Sequence, residues 1–381
     1  MHAFAFSIAA LLGPGVPAFA AEWQFTPNSR VTSGYTGNPR FLAEGGDDEL
    51  QNGAEIGALL NSRTERLQLS IVPRATFSRF QSDETLDTNN QYLGMTSAWQ
   101  TERVLWKGNA QFTHDSTQTS ELGTTGLIQG NSRRELAAVG AGGTWTVYEN
   151  FSSGANVQWN DVHYADAESS GLEDYSRSSA SLFATAAISD RTKLTLSAQG
   201  GRLESASRSQ PTTDSGLTLG LNHTLGPQWS LSVAAGPSWA DSGLETLQGT
   251  LYSADVTRQG ELTQFAAGVS RRLEPVGTGF LTLSEAFTLS VTRRMTETLS
   301  VMLSGQATRY RELFNDSSAG GRDTRYAGAT GSLNWNFARA WALSLSVEQR
   351  YQEVVSTVNE GAADSYRFWL GISWTGRTLM L

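Results

Sequence analysis

The 381-residue chain contains no cysteine, which excludes disulfides and thiolate metal sites and is compatible with an oxidising compartment. Its four histidines show no metal-ligand spacing. Past the N-terminus no apolar run approaches the roughly 20 residues that a membrane helix requires, so helical spans are excluded. Lys and Arg number 28 against 37 Asp and Glu, and a net charge of -9 argues against a nucleic-acid partner. There is no phosphate-binding glycine loop, because the glycine pairs mark strands and bends. No cofactor is expected.

What the chain does have is alternation. From Trp23 to Trp374, segments of roughly ten residues carry apolar and small polar residues at period two, separated by turns of unequal length. In the last segment Tyr366, Phe368, Leu370, Ile372 and Trp374 share one face, and Arg367, Trp369, Gly371, Ser373 and Thr375 share the other. Two-faced strands of this kind predict an all-β, antiparallel up-and-down transmembrane barrel with lipid outside and water inside. Only every second residue must then be apolar, which reconciles a membrane span with a hydrophobic content of 39% and a mean hydropathy of -0.31.

Residues 1–20 read as a cleaved secretory signal peptide, with an apolar stretch from Ala3 to Leu12 and a small-residue site at Ala18-Phe19-Ala20. Its leading segment has no Lys or Arg, which leaves open a start further upstream. Residues 21–381 form the expected barrel domain, in the outer membrane of a Gram-negative envelope. Acidic residues gather in connections such as Glu44-Gly45-Gly46-Asp47-Asp48-Glu49, where they serve solubility or hold divalent ions that bridge lipopolysaccharide.

Strands are expected near 23–35, 49–61, 66–79, 91–101, 104–114, 135–147, 152–164, 176–188, 192–203, 213–225 and 228–240. The series continues near 261–272, 276–283, 286–294, 298–311, 324–337, 341–354 and 365–375. Short turns, such as 62–65 and 295–297, are assigned to the periplasm. Long connections, such as 116–134 and 242–260, are assigned to the outside. With both termini periplasmic the strand number is even, so 277–294 reads as a hairpin turning at Ser284-Glu285. The total is 18, with 16 as the alternative if two strands fuse.

Trp23, Trp99, Trp106, Trp145, Trp229, Trp335, Trp341 and Trp374 all fall near predicted periplasmic ends, where indoles sit well at a membrane interface. Pro27, Pro73 and Pro237 fall inside predicted strands and are read as bulges or as marks near strand ends.

The polar face gives the candidate lumen. Its pathway candidates are Arg74, Lys107, Asn109, Gln111, Asn156, Gln158, Asn160, Gln306, Tyr310, Asn334, Glu348, Arg350 and Arg367. Amides and hydroxyls dominate, a lining suited to neutral or mildly charged sugars and equally to plain hydration of a wide pore. Catalysis is not expected. His114, Asp115 and Ser116 are consecutive on a strand and point to opposite faces, while Asp161 and His163 share the lipid face near the outer rim.

Three segments resemble the β-barrel porin 2 family. They are Tyr35-Thr36-Gly37-Asn38-Pro39 with Pro73, the run from Ser270 to Gly279, and its echo at Thr292-Arg293-Arg294-Met295-Thr296. The resemblance implies an outer-membrane channel that conducts an exopolysaccharide to the cell surface. No TPR-like segment precedes Trp23, so periplasmic export components would deliver the polymer. A general or substrate-selective diffusion porin is the alternative, and a surface-adhesion or enzymatic barrel ranks below both. Lipopolysaccharide and the barrel-assembly machinery are the further expected partners. A loop folded into the lumen with clustered charges would favour the selective pore, and a clear tunnel would favour the polymer.

Overall fold

The computed structural model describes residues 22–42, 46–121, 131–165, 167, 171–206, 208–314, 323–355 and 360–381. The signal-peptide reading of 1–20 lies outside them. The first nine strands are β1 (Glu22–Gly37), β2 (Asp48–Arg63), β3 (Leu67–Phe80), β4 (Thr88–Gln100), β5 (Val104–Ser116), β6 (Arg133–Tyr148), β7 (Phe151–Tyr164), β8 (Tyr175–Ser189) and β9 (Thr192–Ser205). They are followed by β10 (Thr212–Thr224), β11 (Trp229–Asp241), β12 (Thr246–Gln259), β13 (Thr263–Pro275), β14 (Leu281–Arg294), β15 (Leu299–Glu312), β16 (Asp323–Ala338), β17 (Trp341–Val355) and β18 (Glu360–Thr375). One four-residue helix, α1 (Thr117–Ser120), follows β5.

Each strand pairs antiparallel with the next, and β18 pairs with β1 from Asn28↔Thr375 to Gly37↔Tyr366, which closes the barrel. The short strand β19 (Leu379–Met380) continues along β1 at Gln24 and Phe25. Closure leaves no full strand without a neighbour on each side, as a lipid surround demands.

The register fixes which residues face out. Val31, Ile56, Leu182, Leu196, Leu303 and Phe368 are on that side and largely exposed, because lipid rather than protein is their solvent. The indoles of Trp106, Trp145, Trp229, Trp335 and Trp341 mark the lower rim on the outer face. Charged outward residues mark the upper rim, where Arg309 meets Asp323 and Arg325 meets Glu353 at 3.0 Å. Ten residues separate Trp335 from Arg325 along β16. At a rise of about 3.3 Å and a tilt of about 40°, they span roughly 25 Å, the height of a bilayer's apolar band.

Short lower turns close on threonine hydroxyls. Thr64 Oγ1 accepts from the Leu67 N–H at 3.0 Å, Thr101 Oγ1 from Val104 at 3.1 Å and Thr296 Oγ1 from Leu299 at 3.0 Å.

The strand total of 18 agrees with expectation, but two elements differ and offset each other. The 242–260 stretch is not a long connection, because it holds β12 after a turn of only 242–245. Leu247 and Leu251 of β12 face the lumen and its outward face carries Thr250, Tyr252 and Ala254, so the apolar alternation is weak. Conversely, 277–294 is not a hairpin. A turn at 276–280 leads into the single strand β14, which runs straight through Ser284 and Glu285. Glu285 interrupts the apolar outer face of that strand and is matched by Arg271 at 3.7 Å on β13.

The prolines are not bulges. Pro73 and Pro237 each interrupt one ladder without shifting it: β2–β3 bridges resume at Leu60↔Ile71 after Gly57↔Arg74, and β10–β11 bridges skip from Gly216↔Ser238 to Leu219↔Ala235. The missing proline N–H accounts for each gap. Pro27 sits where the β1–β18 ladder gives way, and its carbonyl accepts from Gly376 at 2.8 Å.

Candidate functional site: the barrel lumen

Lumen geometry begins with register. Arg74, Lys107, Asn109, Gln111, Asn156, Gln158, Asn160, Gln306, Tyr310, Asn334, Glu348, Arg350 and Arg367 all occupy inward positions. Several bond to one another along the wall: Gln158 Nε2 donates to Asn160 Oδ1 at 3.1 Å, and Gln111 Nε2 to Thr113 Oγ1 at 3.1 Å. The Arg74 guanidinium lies over the Tyr92 ring, 4.3 Å from its centroid. Lys107 and Asn109 line a lower recess of about 640 Å³ against β1–β3.

An open cylinder of 18 strands would be wide, yet chain folds inward into the upper half of this one. Three pieces do this.

The first is α1. Below and behind it, Arg134 on β6 bonds Asp115 on β5 through Nε at 3.0 Å and Nη2 at 3.1 Å, and reaches Glu121 at 3.1 Å. The Tyr164 hydroxyl donates to the same Glu121 oxygen at 2.7 Å. Asp115 and Glu121 are buried, so this shared arginine holds the helix to the inner wall. On its far side Gln118 Nε2 donates to the Pro39 carbonyl at 3.0 Å, which carries α1 to the β1–β2 loop.

The second is the upper β13–β14 hairpin. β12 and β13 pair only from Gln259↔Gln264 to Tyr252↔Arg271, whereas β13 stays paired with β14 up to Pro275↔Leu281. Above Arg271 the hairpin therefore leaves the wall. Its fully buried Leu281 packs with Leu203 of β9 and Ala240 of β11, both on the inner wall, and with Leu273, Leu313 and Phe314. Phe280 lies under the Arg208 guanidinium at 4.1 Å.

The third is the β1–β2 loop, whose Phe41 is buried against Ala363 and beneath Arg350, with the Arg350 guanidinium 4.7 Å from the ring. Arg40 of this loop is tied to Asp83, a bond that Arg40 Nε makes at 2.9 Å.

Between α1 and the β17–β18–β1–β2 wall lies a chamber of about 550 Å³. It gathers Gln306, Glu348, Arg350 and Arg367 from the sequence candidates and adds Arg30, Glu55, Tyr326 and the α1 residues Gln118, Thr119 and Ser120. Glu55 and Arg30 share the inward parity of their strands, which the alternation already shows. The arrival of α1 has no local signal, because it depends on the Arg134 cluster brought together by tertiary structure.

On the outer face, His163 contacts Asp161 through Nε2 at 2.9 Å and Asp174 through Nδ1 at 3.1 Å. Both ring nitrogens are thus occupied by carboxylates, and neither is left to take a proton from a nucleophile. His114 points outward to Glu135 at 3.2 Å while Asp115 points inward to Arg134, so the consecutive trio forms no relay. Among the described residues no group of three His, Cys, Asp or Glu side chains is placed to hold a metal.

No protein-family model matches the chain. No curated protein matches it either. The likeness to the β-barrel porin 2 family thus extends no further than an outer-membrane type of barrel. Solved structures with similar architecture include OccAB4 of Acinetobacter baumannii, at 10% identity and a TM-score of 0.47, covering 94% of this chain and 98% of that one. OpdL of Pseudomonas aeruginosa shares 14% identity at a TM-score of 0.46, covering 94% and 99%. The siderophore receptor PirA from Pseudomonas aeruginosa shares 12% at 0.46, covering 93% and 80%. Lumen chemistry must be read from this chain's own residues.

Proposed function

We propose that the protein is a substrate-selective diffusion channel of a Gram-negative outer membrane, admitting small polar solutes. The observation that carries this reading is the narrowed mouth: α1, the β13–β14 hairpin and the Phe41 loop fold inward, and beside α1 lies a chamber of about 550 Å³ lined by charges of both signs. That volume falls within the roughly 300–1,000 Å³ of small-molecule sites. A polymer in transit needs a continuous tunnel, and the docked hairpin and α1 take up part of the upper lumen. Exopolysaccharide export is therefore the weaker reading. Lipopolysaccharide at the charged upper rim and the barrel-assembly machinery are the partners proposed with it, and export by a cleaved signal peptide is its route.

Liposome swelling tests the reading. Purified protein in vesicles should admit small hydroxylated solutes at rates that depend on charge, and a deletion strain should keep its surface polysaccharide. Loss of that polysaccharide with unchanged small-solute uptake would overturn the proposal in favour of export.

A further inference from the structure

Three guanidinium side chains line one wall of the chamber. They are Arg30 of β1, Arg350 of β17 and Arg367 of β18, neighbours across the β17–β18–β1 wall. Arg350 is 5% exposed, donates Nη2 to Ser365 Oγ at 3.1 Å and stacks on Phe41, so its orientation is set. Arg30 lies flat over β18, donating Nη2 to Ser344 Oγ at 2.8 Å. Glu348 sits between the other two arginines with its Oε2 at 3.9 Å from each, near enough for charge and too far for a hydrogen bond. None of the three has a carboxylate within hydrogen-bond distance among the described residues, so together they present positive charge to the chamber, which favours an anion.

Charge limits the ligand further. The chamber's lining holds three arginines against two glutamates, Glu55 and Glu348, so one net positive charge faces the solute. That balance suits one negative charge and disfavours several. Across the chamber α1 presents the amide of Gln118 and the hydroxyls of Thr119 and Ser120, with Gln306 from the wall. These groups both donate to and accept from hydroxyls.

We propose that the chamber is a binding site for a hydroxylated monocarboxylate of the sugar-acid class, its carboxylate taken by the arginine wall and its hydroxyls by α1. The planar guanidinium fork matches a carboxylate in two contacts, which an ammonium cannot reproduce. The proposal rests on the channel reading above and names the solute class of its chamber.

Isothermal titration of the detergent-solubilised full chain tests it without requiring conductance. Gluconate, glucose and inorganic phosphate are the probes. Gluconate should bind at least tenfold more tightly than glucose or phosphate. R350Q and R367Q should each weaken gluconate at least tenfold, R367K should recover part of the loss, and the outer-rim variant R202Q should leave binding unchanged. The wild-type comparison stands even if a variant fails to fold. Equal binding of glucose and gluconate would overturn the proposal, as would tighter binding of phosphate, which would assign the arginines to a phosphate group. Gluconate binding without any conductance would overturn the channel reading alone, and conductance without gluconate preference would overturn this one alone.

Discussion

The backbone N–H of Glu173, in the β7–β8 connection, donates to the carbonyl of Gly277 at the tip of the β13–β14 hairpin at 2.8 Å. Strands β8 and β13 are five apart around the barrel, so this bond joins two separate sectors of the mouth and ties the hairpin tip to the β7–β8 connection. Gly279, at φ 72°, makes the approach possible: a Cβ there would sit 2.3 Å from the Ser205 hydroxyl.

The hairpin's docking rests on Leu281 more than on that bond. Truncating a fully buried leucine costs about 2–5 kcal/mol. Leu281→Ala should leave the barrel intact and free the hairpin, seen as faster hydrogen exchange of the 276–280 amides and as larger, noisier channel currents. Unchanged exchange would show that the hairpin is held elsewhere.

Arg134 is the common partner of two buried carboxylates, Asp115 and Glu121. Arg134→Ala leaves both uncompensated, and breaking buried pairs of this kind costs about 3–5 kcal/mol. α1 should detach, exposing residues 117–121 to limited proteolysis. The triple change R134L/D115L/E121L should restore protection if charge, rather than shape, causes the release.

The fold was legible where physics is local. Period-two alternation and turn length placed sixteen strands close to their observed positions, because each face of a barrel strand meets one solvent. It failed at β12, whose leucines turn inward towards chain that folds over them, and at Glu285, whose charge is answered by Arg271 on the neighbouring strand. The two errors cancelled in the total. Inner-face residues such as Arg350 and Arg367 follow from parity alone, but the chamber around them does not. It exists because α1, Phe41 and the hairpin arrive from distant loops, and no stretch of sequence encodes that arrival by itself.

Acid should loosen the β1–β2 loop. Asp83 lies in the connection between β3 and β4, where the Thr85 hydroxyl first, and then Arg40, hold its carboxyl below the usual carboxylate range. A depressed native pKa means that the contribution to stability is complete above the unfolded value of about 3.9 and is lost as pH falls through the lowered native value. Protection of the Arg40–Leu42 backbone should therefore be flat from neutral pH down to about pH 4 and decline below it. Asp83→Asn should remove that acid-dependent step, as followed by hydrogen exchange corrected for intrinsic rates.

Gly371 keeps the wall flat beneath Arg30, since a Cβ there would lie 3.0 Å from Arg30 Nε and 2.8 Å from Ser344 Oγ. Gly371→Val should displace the guanidinium while the barrel still forms. Reversal potentials across a salt gradient should shift towards cation passage, and a wild-type value would remove Arg30 from the selectivity account.

Single-channel recording of the purified protein in planar bilayers tests the central claim most directly. The account predicts small, regular conductance steps in the wild type and clearly larger ones in Leu281→Ala, because the inward hairpin limits the flow. Absence of any step, or a wide-pore conductance identical in both proteins, would contradict it.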